Sequence, residues 1–354
     1  MRRKEAFLNN NGSRKKVLVL RLSSLGDVVH STAVIEPLKA LGCEIYYVTK
    51  PAFAPLLQGH PNIRQVYRYD PKKNGNESRA RDALFSWVEK EQFHFILDLH
   101  DSLRTKLWRR SLRRLAPVYV AKKERLREWL ILIFRMKKTF GFGSGGRAKK
   151  MRDLVYYALK QEGLTYEHKD VLQTTVAVDP VALESMRKIL PKDPYAVLVP
   201  GSAWLGKEWP YYVSLAEEIG KKMPVIVLGG TNDMSCESVT TAAVKTNSQS
   251  LGLQGKTSLA ESIAVIAGAK LVIGNDTGLI QVSEALDKTT IMIEGPTEAS
   301  MGFSLYKKSS KSIGLDLFCR PCSKTGKFCW RMGQRTCMKG LSATQVMNDV
   351  RTFL

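Results

Sequence analysis

Short apolar runs alternate with longer amphipathic stretches along most of the chain, and that rhythm predicts strands and helices in turn. Residues 17–20, 44–48, 65–67 and 93–97 read as strands, with helical stretches expected at 31–41, 53–57 and 81–90. A second series begins after Asp179 and Pro180. It predicts strands at 195–199, 224–228, 271–273 and 290–293, with helices at 211–221, 235–244, 259–267 and 279–286. Strand followed by helix, repeated, is the βαβ pattern of a parallel sheet. The domain boundary is expected near 172–182.

Two places repeat one layout. The apolar run 269–273 leads into GNDTGLIQVSEAL, residues 274–286, which reads as strand, glycine, acidic turn, glycine and apolar-periodic helix. Such a turn aims backbone N–H groups and a helix N-terminus at an anion, with a diphosphate as the natural guest. Near the start, 17–20 is followed by Arg21, Leu22, Ser23, Ser24, Leu25, Gly26 and Asp27, and then by a helical run at 28–38. Two such loops, far apart in sequence, predict two nucleotide-fold halves. Their ligand is expected in a cleft at the carboxyl ends of the strands.

Length agrees with this division, since 354 residues suffice for two cores. No apolar run approaches the length of a membrane span. The N-terminus, residues 1–16, is basic and lacks the apolar centre of a secretory signal, so it is read as a disordered arm and the protein as cytoplasmic.

Charge adds a direction. The formal net charge is +22, and residues 1–180 hold 35 Lys/Arg against 18 Asp/Glu. Between Arg104 and Arg152 there are 17 basic residues and two acids, Glu124 and Glu128. A block of this kind attracts polyanions: nucleic acid, an anionic membrane surface, or a phosphorylated small or lipid-linked substrate. Within it, the WLILIF run at 129–134 is apolar enough to touch lipid headgroups, and equally suits a packed core strip. Residues 141–150, GFGSGGRAKK, are expected to form a flexible loop over the basic region.

The sequence resembles the ADP-heptose:lipopolysaccharide heptosyltransferases, glycosyltransferase family 9. The matching segments are VLVLRLSSLGDVVHSTAVIEPLK at 17–39, DLHDSLRTK at 98–106, VLVPGSAWLGKEWP at 197–210, VLGGTND at 227–233, and IGNDTGLIQVSEAL followed by IMIEGPT within 273–297. They occur in family order. The resemblance implies a GT-B fold, two Rossmann-like domains facing across a central cleft. Its divisions are a basic arm over 1–16, an acceptor-binding domain over 17–178 and a nucleotide-sugar domain with a Cys-rich tail over 179–340. A terminal helix over 341–354, of the kind that packs back on the first domain, follows. It also implies inverting transfer of heptose from ADP-heptose to the lipid A-Kdo inner core of lipopolysaccharide.

Sugar transfer needs a base for the acceptor hydroxyl and a stabiliser for the departing diphosphate. Asp27 is the candidate base; an acid at the mouth of a helix is also a good N-terminal cap, and the residues alone leave both readings open. The resemblance implies the catalytic role. Lys207 is the candidate for the leaving group, with Gly201 and Ser202 on the same loop after a buried strand. Thr277 and Gly278 suit the phosphates, whereas Asp276 is better suited to fixing the loop or accepting from a sugar hydroxyl. Gln281 stands where the family often has His, which puts a charged contact there in doubt. Gly229, Gly230 and Asp233 frame the adenosine end or form a plain turn.

For the acceptor, Arg104 and Lys106 match family positions, and Arg109, Arg110, Arg113 and Arg114 extend the positive surface. His30 reads as an assisting residue or a core histidine. A fourfold set, Cys319, Cys322, Cys329 and Cys337, has spacings that a structural zinc site would accept, though not those of a common ribbon. Lys324, Lys327, Arg331 and Arg335 beside them are further phosphate candidates. No paired-acid metal motif lies between the halves, so transfer is expected to need no divalent metal and no cofactor. The expected partners are the ADP-heptose donor, a phosphorylated lipid-linked acceptor and the anionic inner leaflet, without nucleic acid, for a protein peripheral to the membrane's cytoplasmic face. Two other classes compete. One is a relative using another nucleotide sugar or acceptor; the other is a polyanion- or nucleic-acid-binding protein. A Rossmann oxidoreductase lacks its G-x-G-x-x-G after the first strand.

Overall fold

Strands covered on both faces by helices are mainly apolar, and the central strands here are, with Asp98 and Asn275 at the ends of two of them. The computed structural model describes residues 14–164 and 172–354, so the expected basic arm lies outside the described residues up to residue 13. The chain divides into two units, Met1–Lys123 with Ala148–Ala177, and Glu124–Arg147 with Val178–Leu354.

The first unit runs β1 (Lys16–Leu20), α1 (Leu25–Ser31), α2 (Ile35–Ala40), β2 (Glu44–Thr49), β3 (Gln65–Arg68), α3 (Glu77–Glu91), β4 (Phe95–Asp98), α4 (Leu103–Leu115) and β5 (Val118–Val120). All pairings are parallel, in the order β3-β2-β1-β4-β5. The chain reverses its winding at β1, so the loops after β1 and β4 emerge side by side, with Leu20 opposite Asp98. The helix expected at 53–57 is instead a 3₁₀ turn, Pro51–Leu56. Pro55, inside the segment, lacks the N–H that an α-helix would bond to the carbonyl four residues back.

The chain then forms α5 (Arg125–Phe134) and α6 (Lys137–Phe140), which belong to the second unit, and returns to the first within α7 (Gly146–Gln161). Residues 141–150, expected as a flexible loop, form a pinned turn and the first turn of α7. Phe142 N–H donates to Ser300 O at 2.9 Å and Gly145 N–H to Ser304 O at 3.0 Å. Gly143 and Gly145 hold φ of +73° and +63°. The glycines supply the left-handed backbone that this turn requires.

The second unit continues with α8 (Pro180–Arg187), β6 (Ala196–Val199), α9 (Tyr212–Gly220), β7 (Val225–Val227), α10 (Ser235–Thr246), β8 (Leu251–Gly252), α11 (Leu259–Gly268), β9 (Leu271–Asn275), α12 (Gly278–Ala285), β10 (Thr289–Ile293), β11 (Ser310–Ile313), α13 (Thr336–Lys339) and α14 (Ala343–Val350). Its parallel sheet has the order β11-β10-β9-β6-β7-β8. Again the reversal, between β6 and β9, brings two C-terminal loops together. The chain re-enters this unit at Val178, against an expected boundary at 178/179, while 124–147, expected in the first domain, packs here. The terminal helix α14 packs within the second unit. Val346, Met347 and Val350 of α14 are buried in one core cluster with Trp209 and Leu215, so the helix completes the second unit itself.

Candidate functional site

In the second unit the loop after β6 and the loop after β9 are joined by Asn275, which is fully buried. Its Nδ2 donates to Pro200 O at 2.5 Å, and its Oδ1 accepts from Trp209 N at 3.2 Å and Tyr212 Oη at 3.1 Å. The sequence reading passed over Asn275, although its burial at the end of an apolar strand is the signal for a polar hub. Gly201 is required by crowding: a side chain there would run into the Asp233 carboxyl group. Asp233 Oδ2 accepts from Gly230 N at 2.6 Å, so this segment is a closed turn against the Gly201 loop. Ser202 Oγ accepts from Trp204 N at 3.4 Å.

Lys207 and Asp276 meet across the two loops. Lys207 Nζ is 2.7 Å from Asp276 Oδ2 and 3.3 Å from Asp276 O, and Thr297 Oγ1 donates to the same carboxylate oxygen at 2.5 Å. The acid therefore points sideways into Lys207 and Thr297. Thr277 is the N-cap of α12, yet its side chain makes no capping bond, and among the described residues its buried Oγ1 has no hydrogen-bond partner. Together with Gly278 at the first helical position, it leaves a helix N-terminus with polar capacity to spare. Gln281 turns inward, donating to Phe303 O at 2.7 Å, so it presents no side chain at this end.

Further support comes from residues the sequence reading did not single out. Arg320, nearly fully buried, donates to Gly295 O and, at 3.0 Å, to Thr297 O, and its Nη2 lies 3.4 Å from Glu294. Burial pushes the Glu294 carboxyl up, against the pull of Ser304 and Arg320. Thus a residue of the Cys-rich segment braces the loop that holds Thr297.

In the first unit, Asp27 is the third residue of α1. Its Oδ2 accepts from Ser24 N at 3.3 Å and Ser24 Oγ at 3.0 Å, forming a capping box, and pairs with Arg21 Nη2 at 2.6 Å. Arg21 is buried and also donates to Leu99 O, which ties the loop after β1 to the one after β4. The cap reading is therefore real, and the Asp27 side chain is 20% exposed. His100 lies nearby: burial, then the charges of Arg21 and Lys123, push its imidazole down to about 4. His30 is a buried residue of α1.

Arg104 Nε pairs with Glu77 at 2.6 Å and its guanidinium lies 5.8 Å from the Tyr69 ring centroid, while Lys106 is exposed. Arg109, expected to extend the positive surface, is largely buried. It binds Asp98 Oδ2 at 2.8 Å and also Asp101, which fixes the loop after β4. A fully buried Asp98 demands such a partner.

The four cysteines of the tail lie in the second unit. Among the described residues, no three His, Cys, Asp or Glu side chains are grouped to hold a metal ion. Cys337 sits in the apolar core, where burial pushes its thiol up to about 11, and Cys322 turns its thiol to Cys319 O at 3.2 Å. Cys319 and Cys329 are partly exposed and, with Cys322, lie close enough to Cys337 for their charges to act on its thiol. The neighbouring cations are partly spent: Lys324 pairs with Glu128 at 2.8 Å, and Arg335 donates to Leu205 O at 2.7 Å. Among the described residues no helix is long and apolar enough to cross a membrane.

Comparison with known proteins follows the same line. The profile of glycosyltransferase family 9 (heptosyltransferase) matches residues 81–329. Lipopolysaccharide heptosyltransferase 1 of Pseudomonas aeruginosa is 26% identical over 325 residues, 87% of this chain and 86% of that protein. Among solved structures, a family 9 glycosyl transferase from Veillonella parvula superposes with a TM-score of 0.72 at 19% identity, covering 96% of this chain and 97% of the other. The ADP-heptose lipopolysaccharide heptosyltransferase II of E. coli gives 0.71 at 17%, covering 96% and 98%. These structural likenesses carry the fold, α/β of the GT-B type.

Proposed function

The chain belongs to glycosyltransferase family 9, the heptosyltransferases, and from that premise we propose that it transfers heptose from ADP-heptose to the inner core of lipopolysaccharide. The observation that carries the donor assignment is the pairing of an open helix N-terminus at Thr277 and Gly278 with the Lys207 ammonium. A diphosphate oxygen takes the N–H groups of α12 and the free Thr277 hydroxyl. Lys207 then shares its ammonium between Asp276 and the phosphate, while Thr297 keeps Asp276 turned aside.

Asp27 takes the proton of the acceptor hydroxyl. The oxygen attacks the anomeric carbon from the face opposite the diphosphate, the bond to ADP breaks, and configuration inverts. Negative charge grows on the leaving diphosphate, where Lys207 and the α12 dipole oppose it, so a divalent cation has no required part. Arg104 and Lys106 meet the acceptor's phosphates. Because that acceptor is lipid-linked, the enzyme works peripherally at the cytoplasmic face of the membrane.

The test is a turnover assay with ADP-heptose against ADP-, GDP- and UDP-hexoses, with and without a chelator. The proposal expects ADP-heptose to be preferred and the chelator to leave the rate unchanged. Preference for another nucleotide sugar would shift the substrate, and a rate abolished by chelation and restored by a divalent ion would refute the metal-independent step. Salt-sensitive binding of nucleic acid, with no nucleotide-sugar turnover, would favour the polyanion-binding class.

A further inference from the structure

Helix α5 buries an acid beside Ile131 and turns most of its large apolar side chains outward. An ordinary surface helix buries its apolar stripe and shows its charges. Here Glu128 faces inward, where Arg147 Nη2 and Lys324 Nζ each approach to 2.8 Å. Arg127 turns in as well, donating to Phe140 O at 2.6 Å and Gly141 O at 2.9 Å. Leu126, Trp129, Ile133 and Phe134, at helical spacings i, i+3, i+7 and i+8, are 71%, 48%, 48% and 57% exposed. The inward ion pairs fix the rotation of the helix about its axis.

A second segment joins this face. The Arg135 guanidinium, one residue past α5, lies 5.0 Å from the Trp330 ring centroid and donates to Pro321 O. Phe328 packs edge-on against Trp330 at 5.2 Å, and Phe328, Trp330 and Met332 are all exposed. Two stretches some 190 residues apart thus contribute one apolar patch of the second unit.

We propose that this patch docks on an anionic lipid bilayer. Charge selects the lipid surface over other apolar partners: no Asp or Glu occurs between Asp316 and Asp349, and Arg125, Lys138, Lys327 and Arg331 stand exposed along the two segments. Glu128 is the one acid between Arg125 and Arg152, and it is neutralised inward. A ten-residue helix is about 15 Å long, half a bilayer core, so it lies in the headgroup plane with its aromatic side immersed. Indole rings suit that depth, since one end is apolar and the other polar. The inference deepens the proposed use of a lipid-linked acceptor and rests on it for its purpose; the docking itself is measured without substrate.

The experiment is vesicle flotation of the whole protein with phosphatidylcholine alone and with phosphatidylcholine plus phosphatidylglycerol. The variants are Ile133→Glu/Phe134→Glu, Trp330→Glu and, as a control, Val181→Glu, an exposed apolar position on α8. Wild type and control should bind the anionic vesicles more tightly than the neutral ones, and the two patch variants should lose about tenfold or more. Unchanged binding in the patch variants, or no binding by wild type, overturns the proposal. So does a dimer that the variants abolish while vesicle binding persists. Turnover on an acceptor stripped of its acyl chains should match wild type in the patch variants, and fall only on the vesicle-embedded acceptor. If wild type turns over neither acceptor, the sugar-transfer reading fails while the flotation result still decides the docking.

Discussion

The loop after β1 and the loop after β9 share one layout, yet they end in opposite electrostatic states. In the first, Asp27 closes onto Ser24 and Arg21, so the helix N-terminus is capped by its own carboxylate. In the second, the acid is drawn aside by Lys207 and Thr297, Thr277 makes no capping bond at the N-terminus of α12, and among the described residues its buried hydroxyl has no hydrogen-bond partner. Strand, glycine, acid and helix therefore do not define a phosphate site by themselves. What matters is whether the acid occupies the helix N-terminus, and that depends on partners far away in sequence.

The largest effect should come from removing the first loop's charge. Asp27→Asn keeps a cap acceptor and is expected to lower the turnover rate by about 10²- to 10⁴-fold, measured as heptose transfer at saturating donor. A rate within threefold of wild type would make the two loops functionally alike and Asp27 a cap alone. Asn275→Ala breaks the second loop from below. It strands the Trp209 N–H, the Tyr212 hydroxyl and the Pro200 carbonyl, at a cost of about 3 kcal/mol. Denaturant unfolding reads this, and a loss below about 1 kcal/mol would show that the hub is dispensable.

A smaller change sharpens the contrast. Thr277→Val should weaken ADP by roughly fivefold, the worth of one neutral hydrogen bond, with no loss of stability because that hydroxyl has no partner to strand. Calorimetry and thermal unfolding on the same sample separate the two. The smallest effect concerns pH. His100 is held neutral in the first unit, down to about 4, whereas the unfolded imidazole titrates near 6.5. Between those values the unfolded chain binds more protons, so stability is complete above the higher pH and falls as pH drops toward the lower. His100→Gln should flatten that slope, and an unaltered slope would remove His100 as its source.

Much of this contrast was legible in residue order. The apolar runs fixed β1, β2, β4, β6, β9 and β10, because strands buried on both faces are marked by unbroken hydrophobicity. Three of the four edge strands were missed: β5, β8 and β11 are two to four residues long and partly exposed, so they carry little pattern, whereas the edge strand β3 was expected at 65–67. Lys207 and Asp276 were named from their loops, but their 2.7 Å contact joins segments 69 residues apart and could not be read from either. Arg109 was misjudged for a related reason. A basic run looks solvated until the acid beneath it, Asp98, is known to be buried. The assignment of 124–147 to the second unit followed the same logic, since Glu128 binds Lys324 through a contact that sequence order does not announce.

The central claim is a division of labour between an acid that serves the acceptor and a lysine that serves the donor. Calorimetric titration of ADP into wild type, Asp27→Asn and Lys207→Met tests it most directly. The account predicts an affinity within about twofold of wild type for the aspartate variant and a loss of roughly ten- to a hundredfold for the lysine variant. Equal ADP affinity in the lysine variant, or a comparable loss in the aspartate variant, would contradict it.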